Sequence, residues 1–168
     1  MKNLVWFRND LRLHDNPALS QACAKADKVV GFYIVNFKQW EEHNDSPNKI
    51  AFWFRSLIEL QKDLHKLKIP LCILKCDTYD DCPQKILKFT SANEINNLYF
   101  NIEYPVNELK RDEQVQAVLE KMGTSCFSFH DQVIHVPGSL KTKAGTNFSV
   151  YSPFKRCWLA ELDYALLE

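Results

Sequence analysis

The sequence predicts an α/β fold: a three-layer, Rossmann-like open sheet of five parallel strands with helices on both faces. Three observations predict it. Short apolar runs alternate with longer stretches of helical periodicity over residues 1–131, the pattern of successive β–α units. The runs are apolar at consecutive positions, as strands covered on both faces must be. The first of them, Leu4, Val5, Trp6 and Phe7, stops abruptly in Arg8, Asn9, Asp10, Arg12, His14, Asp15 and Asn16. A central strand ending in so polar a turn places that turn at the carboxyl edge of a parallel sheet, where open α/β sheets bind ligands.

The elements follow in order. Asp15, Asn16 and Pro17 form a helix start, a polar cap before a proline in the first turn, for a helix reaching about Ala26. Residues 29–35 (VVGFYIV) make the second strand, which ends in Asn36, Phe37, Lys38, Gln39 and Trp40; a polar loop, 41–45, comes next. Ser46 and Pro47 cap the most periodic helix of the chain. Its stripe is Ile50, Trp53, Phe54, Leu57, Leu60, Leu64 and Leu67, set against Lys49, Arg55, Glu59, Lys62 and Lys66. Residues 70–76 (PLCILKC) are the third strand, 77–81 a polar loop and 82–92 a weaker helix. Residues 98–100 lie in a fourth strand ending at Asn101. A helix over 106–122 turns Val115, Val118, Leu119 and Met122 inward and is closed by Gly123. Residues 126–129 are the fifth strand. From His135 the alternation fails: 135–138 and 141–146 read as an irregular crossing segment, and Ser152-Pro153 opens a last helix holding Phe154, Trp158, Leu159 and Leu162. That helix, with Lys141, Lys143, Lys155 and Arg156 beside it, is either a surface for something further along the chain or a solvated end.

At 168 residues, 46% of them hydrophobic and 25% charged, the chain suffices for one ordinary domain and hardly for two. Lys plus Arg and Asp plus Glu both number 21, so no overall polycation draws it to nucleic acid, although a local basic patch stays open. The first apolar run is too short for a secretory signal and no stretch is long enough to span a membrane, so a soluble, cytoplasmic protein is expected. Cys23, Cys72, Cys76, Cys82, Cys126 and Cys157 contain no C-x-x-C pair and are expected to be free, mostly buried thiols.

The first strand-to-helix turn has no G-x-G-x-x-G, and bulky Arg8, Asn9 and Asp10 would block the backbone approach that a pyrophosphate needs. There is no P-loop and no G-x-S-x-G. His14, His43, His65, His130 and His135 show no ligand spacing, so no metal site is expected. The motifs describe a binding domain, not a complete active site. Three features share the ligand edge: the opening turn, residues 36–40 with His43, and residues 101–108 (NIEYPVNE). Asn107 and Glu108 fall in a first helical turn. There a fixed carboxylate either accepts two parallel hydrogen bonds from an amino group beside a ring N–H, or only complements the helix dipole while Asn107 caps a turn.

VWFRNDLRLHDNPAL (5–19) closely resembles the opening of the DNA photolyase and cryptochrome family, and YIVNFKQW (33–40), HNDSP (43–47), YPVNELKRD (104–112) and YSPFKRCWL (151–159) follow in order. The chain is most similar to the N-terminal α/β domain of bacterial folate-type cyclobutane pyrimidine dimer photolyases. The resemblance implies one such domain over 1–168, with 132–168 a linker toward a helical domain absent from this sequence. It implies an antenna, 5,10-methenyltetrahydrofolate, shared with that domain, where FAD and damaged DNA would bind. By match of motifs, Glu108 would accept from the pterin amino edge, Asn107 would hydrogen-bond the pterin, and His43 would line the same cleft, with Phe37 and Lys38 as weaker candidates. No catalytic residue is assigned, and this piece alone, a monomer, is expected to be inactive. Trp6, Trp40, Trp53 and Trp158 are read as packing residues, not an electron-transfer chain. Arg8, Asp10 and Arg12 are read as a salt-bridged turn. The alternatives are a cryptochrome-type blue-light sensor and an isolated nucleotide-binding module, the latter opposed by the missing phosphate loop.

Overall fold

The computed structural model describes residues 1–162, and no helix among them is long and apolar enough to cross a membrane. The chain divides into two units, Met1–Phe129 and His130–Glu168. In the first, β1 (Lys2–Phe7), β2 (Lys28–Asn36), β3 (Leu71–Cys76), β4 (Asn97–Asn101) and β5 (Ser125–Phe129) form a five-stranded sheet in the order β3-β2-β1-β4-β5. Every pairing is parallel, with Leu4 opposite Val30 on one side and Leu98 on the other. This is the predicted architecture, and β1 is its centre.

Two apolar layers cover the sheet. On one face α1 (Pro17–Ala24) and α3 (Pro47–Lys66) bring Ala18, Leu19, Ala22, Leu57, Leu60 and Leu64 against Val5, Phe7, Tyr33 and Val35. On the other, α4 (Cys82–Ala92) and α5 (Val106–Glu120) bring Ile86, Val115 and Leu119 against Leu4, Trp6, Phe32 and Phe100. Each fully buried Leu or Ile of this kind contributes about 1.5–3 kcal/mol. The expected caps are in place: Asn16 accepts from Leu19 N at 3.1 Å and Ser46 from Lys49 N at 3.2 Å. Gly31 of β2 marks a close approach of layers. A Cβ there would lie 3.0 Å from Leu71 Cδ1, 3.2 Å from Leu64 Cδ1 and 3.3 Å from Phe7 Cε2.

Four local expectations are corrected. Residues taken as strand end and loop form a helix, α2 (Phe37–Glu42), because buried Gln39 and Trp40 anchor one turn and His43 N closes it onto Gln39 O at 3.0 Å. α5 ends at Glu120, Gly123 turns the chain at φ 83°, and Met122 is therefore 65% exposed, not inward, while Val118 is half-buried. Leu67 lies beyond α3 and is exposed. Of the six free cysteines only Cys76 and Cys82 are buried; Cys72, Cys126 and Cys157 are half-buried and Cys23 is exposed.

The second unit holds one helix among its described residues, α6 (Tyr151–Ala160). His135 Nε2 is 3.1 Å from Trp158 O, its ring stands edge-on to the indole, and Phe154 meets Phe148 in the same geometry. Trp158 and Trp53 are half-buried, whereas Trp6 and Trp40 are buried. Leu159 is exposed and Leu162 falls after the helix end. Lys141, Lys143, Lys155 and Arg156 are all exposed.

Candidate functional site

The carboxyl ends of β1 and β4 adjoin a set of buried ions. Arg8 follows β1, Glu103 follows β4, and Arg111 and Asp112 sit on α5; all four are at most 6% exposed. Arg8 Nη1 donates to Asp112 Oδ2 at 2.8 Å and its Nε lies 3.7 Å from Glu103 Oε2. Arg111 Nη2 donates to Glu103 Oε2 at 2.9 Å and to Asp112 Oδ1 at 2.8 Å. Asn9 Nδ2 adds a bond of 2.6 Å to Glu103 Oε1. Both guanidiniums also lie over the Trp6 ring, at 4.8 Å and 4.7 Å from its centroid. Burial pushes the Asp112 carboxyl up against the opposing pull of Arg8 and Arg111. For Arg111 burial acts against the charge, yet Asp112 and Glu103 outweigh it and hold the guanidinium above its ordinary range.

Among the described residues, the ion pairs of Arg8 run out of the opening turn, not within it as the sequence suggested. Arg8 reaches across to Glu103 and Asp112. Asp10 instead accepts from Arg8 N at 2.7 Å and from Asn101 Nδ2 at 2.6 Å, while the Arg12 guanidinium donates to Asp15 O at 2.7 Å. Trp6 Nε1, Arg8 Nε and Arg8 Nη2 are buried and find no hydrogen-bond acceptor among the described residues.

Above this floor opens a polar cleft of about 130 Å³, lined among others by Arg8, Tyr33, Gln39, His43, Tyr79 and Glu108. A shallower groove of about 360 Å³ adjoins it and shares Gln39, His43, Tyr79 and Arg111, but it is lined by Asn107 and not by Glu108. Glu108 Oε1 accepts from the Tyr79 hydroxyl at 3.1 Å, and the Gln39 amide and His43 Nε2 are hydrogen-bonded at 2.5 Å. Burial, followed by the charges of Glu103 and Asp10, pushes the Tyr33 hydroxyl up to about 12. Burial likewise pushes the Tyr79 hydroxyl above the ordinary tyrosine range. Both therefore remain O–H donors at neutral pH.

Of the residues singled out from the sequence, His43 and Glu108 come together in the cleft, and Asn107 faces the groove beside it. Phe37 and Lys38 are not among the described residues lining either cavity. Phe37 packs edge-on to Trp40 at 5.3 Å, with Lys75 Nζ over its ring, and remains 48% exposed. Lys38 is exposed and faces Glu42 one helical turn on. Reading the sequence missed Tyr79, Glu103, Arg111 and Asp112. A signal for the last two existed: Arg111 and Asp112 precede Val115 by four and three residues, which places charge on the buried stripe of α5.

Residues 3–168 match the DNA photolyase family. The chain is 37% identical over 167 residues to a deoxyribodipyrimidine photo-lyase of Escherichia coli, covering 99% of this chain and 35% of that protein. Among solved structures it is similar to a class III photolyase from Agrobacterium tumefaciens, with TM-score 0.75 and 27% identity over 96% of this chain and 32% of the other. It shares its fold with a Synechocystis cryptochrome, TM-score 0.82 at 20% identity over 95% of this chain and 33% of the other. The chain spans about a third of the length of the curated relatives it matches. With its central strand, polar carboxyl-edge turn and YPVNELKRD helix start all inside the matched range, the chain belongs to the DNA photolyase family.

Proposed function

We propose that this chain is the antenna-chromophore-binding part of a deoxyribodipyrimidine photolyase, a carbon–carbon lyase that splits cyclobutane pyrimidine dimers in DNA under light. The antenna is 5,10-methenyltetrahydrofolate. The observation that carries this reading is the placement of Glu108, an acceptor-only carboxylate, in a cleft at the carboxyl edge of the sheet beside His43. A pterin presents an amino group next to a ring N–H, and a carboxylate accepts from both. Glu108 takes that edge, Asn107 meets the ligand from the adjoining groove, and His43, braced by Gln39, closes the side of the cleft. Phe37 and Lys38 would meet it only where it emerges toward solvent. The folate supplies absorption of near-ultraviolet and blue light.

FAD and damaged DNA are assigned to a helical domain reached through residues 132–168, of which 163–168 lie outside the described residues. The protein is read as a cytoplasmic monomer, and the piece alone as inactive. The light-sensor alternative rests on likeness of fold, whereas the relatives at 37% identity are named photo-lyases. Glu108→Ala in the full-length protein carrying this chain is expected to abolish the near-ultraviolet folate absorbance. Flavin absorbance, and repair under light absorbed by flavin, should persist. Folate retained by the variant would overturn the assignment.

A further inference from the structure

Tyr79 belongs to a short 3₁₀ turn, Tyr79–Asp81, between β3 and α4, and nothing in its sequence context marks it. Three features of its surroundings do. Its hydroxyl donates to Glu108 Oε1 at 3.1 Å. The Arg111 guanidinium lies over its ring, 4.8 Å from the centroid, and is itself bound to Glu103 and Asp112. The turn is locked from below, where Asp81 Oδ2 accepts from Thr78 N at 3.1 Å and from Thr78 Oγ1 at 2.9 Å. An unbroken series of contacts thus runs from the buried ions through Arg111 and the Tyr79 ring to the carboxylate of Glu108.

We infer that Tyr79 is the positioning residue for Glu108, fixing the carboxylate so that the cleft accepts a ligand edge made of adjacent N–H donors and rejects one that presents an acceptor. The inference rests on the assignment of Glu108 to ligand binding. A glutamate side chain at a helix start has several rotamers, and freezing them on binding costs affinity. Tyr79 imposes one beforehand. The O–H takes a single lone-pair site of Oε1, leaving the rest of that oxygen and all of Oε2 to accept. Tyr79 also lines both cavities, whereas Glu108 lines the cleft and Asn107 the groove. With Gln39, His43 and Arg111, Tyr79 belongs to the wall that the two cavities share.

The test is a double-mutant cycle in the full-length protein carrying this chain, titrated with 5,10-methenyltetrahydrofolate. Tyr79→Phe removes the hydroxyl and keeps the ring that stacks on Arg111. It is expected to weaken binding by about five- to tenfold, the size of one hydrogen bond to a charged group or somewhat less. Glu108→Ala, which removes the acceptor, should weaken binding further. In the Glu108→Ala background, Tyr79→Phe should have little additional effect on the residual binding, because the two act through one contact. If the losses multiply, Tyr79 acts independently of Glu108 and the inference fails. If Tyr79→Phe binds as wild type while Glu108→Ala is weakened, the inference fails and the Glu108 assignment stands. Wild-type affinity in both variants overturns both.

Discussion

At the amino end of β1 the buried polar side chain is an amide, Asn3; at the carboxyl ends of β1 and β4 the buried amide Asn101 is joined by a set of ions. Asn3, fully buried, donates from Nδ2 to Ala22 O at 3.0 Å and accepts at Oδ1 from Asn97 Nδ2 at 2.8 Å. Exposed Asn96 extends the pattern at the rim, its Oδ1 accepting from Lys2 N at 2.8 Å. An amide carries donor and acceptor together, so a few of them satisfy one another and seal the end of the sheet. A guanidinium has only donors and an ionised carboxylate only acceptors. Arg8, Glu103, Arg111 and Asp112 must therefore be drawn from β1, the loop after β4 and α5 to complete one another. Among the described residues Arg8 Nε and Nη2 keep no hydrogen-bond acceptor, and a cleft opens above them. The difference places the cleft at the end where polarity rests on long-range ion pairs, so that losing one partner is expected to cost more there than at the other end.

The comparison can be broken by experiment. Asp112→Ala removes one of the two carboxylates that Arg8 and Arg111 share, leaving two buried guanidiniums on Glu103, and is expected to cost about 3–5 kcal/mol in urea unfolding, the range for a broken buried ion pair. Asn3→Ala strands the Asn97 amide and the Ala22 carbonyl and should cost about 1–3 kcal/mol. Equal costs would mean that the two ends do not differ in the way described. The smallest effect is one of pH. Tyr33 is raised in the folded state from 10.0 to about 12, by burial first and then by Glu103 and Asp10. Its contribution to stability is therefore complete below pH 10 and is lost as pH rises through about 12. Unfolding curves across that window should fall less steeply for Tyr33→Phe than for wild type, and parallel curves would mean that neither burial nor the carboxyl-edge charges raise this hydroxyl.

The sheet was legible because strands buried on both faces need runs such as 29–35, and α3 because twenty residues repeat one stripe several times over. α2 was not, since six residues hold fewer than two turns and show no period. His43, Asn107 and Glu108 came into view through their place at the carboxyl edge of the predicted sheet, and the family motifs then gave them roles. Only the folded chain shows that His43 and Glu108 share a cleft while Asn107 looks into the neighbouring groove. The ionic floor escaped for a physical reason. A charge in a sequence reads as solvated until its counter-charge, 104 residues away for Arg8 and Asp112, is brought to it. Tyr79 escaped likewise, its partner Glu108 lying 29 residues on.

Gly31 has a mechanical side. Its missing side chain lets the C-terminal part of α3 rest on the sheet at Leu64, while Lys49 and Trp53, near the other end of that helix, form part of the cleft wall. A helix of 20 residues is about 30 Å long and stiff over that distance. One helix thus touches the close approach at Gly31 near one end and the cleft near the other. A methyl group inserted at Gly31 would press on Leu71 of β3 and Phe7 of β1 as well as on Leu64, so the helix shares that strain with two strands.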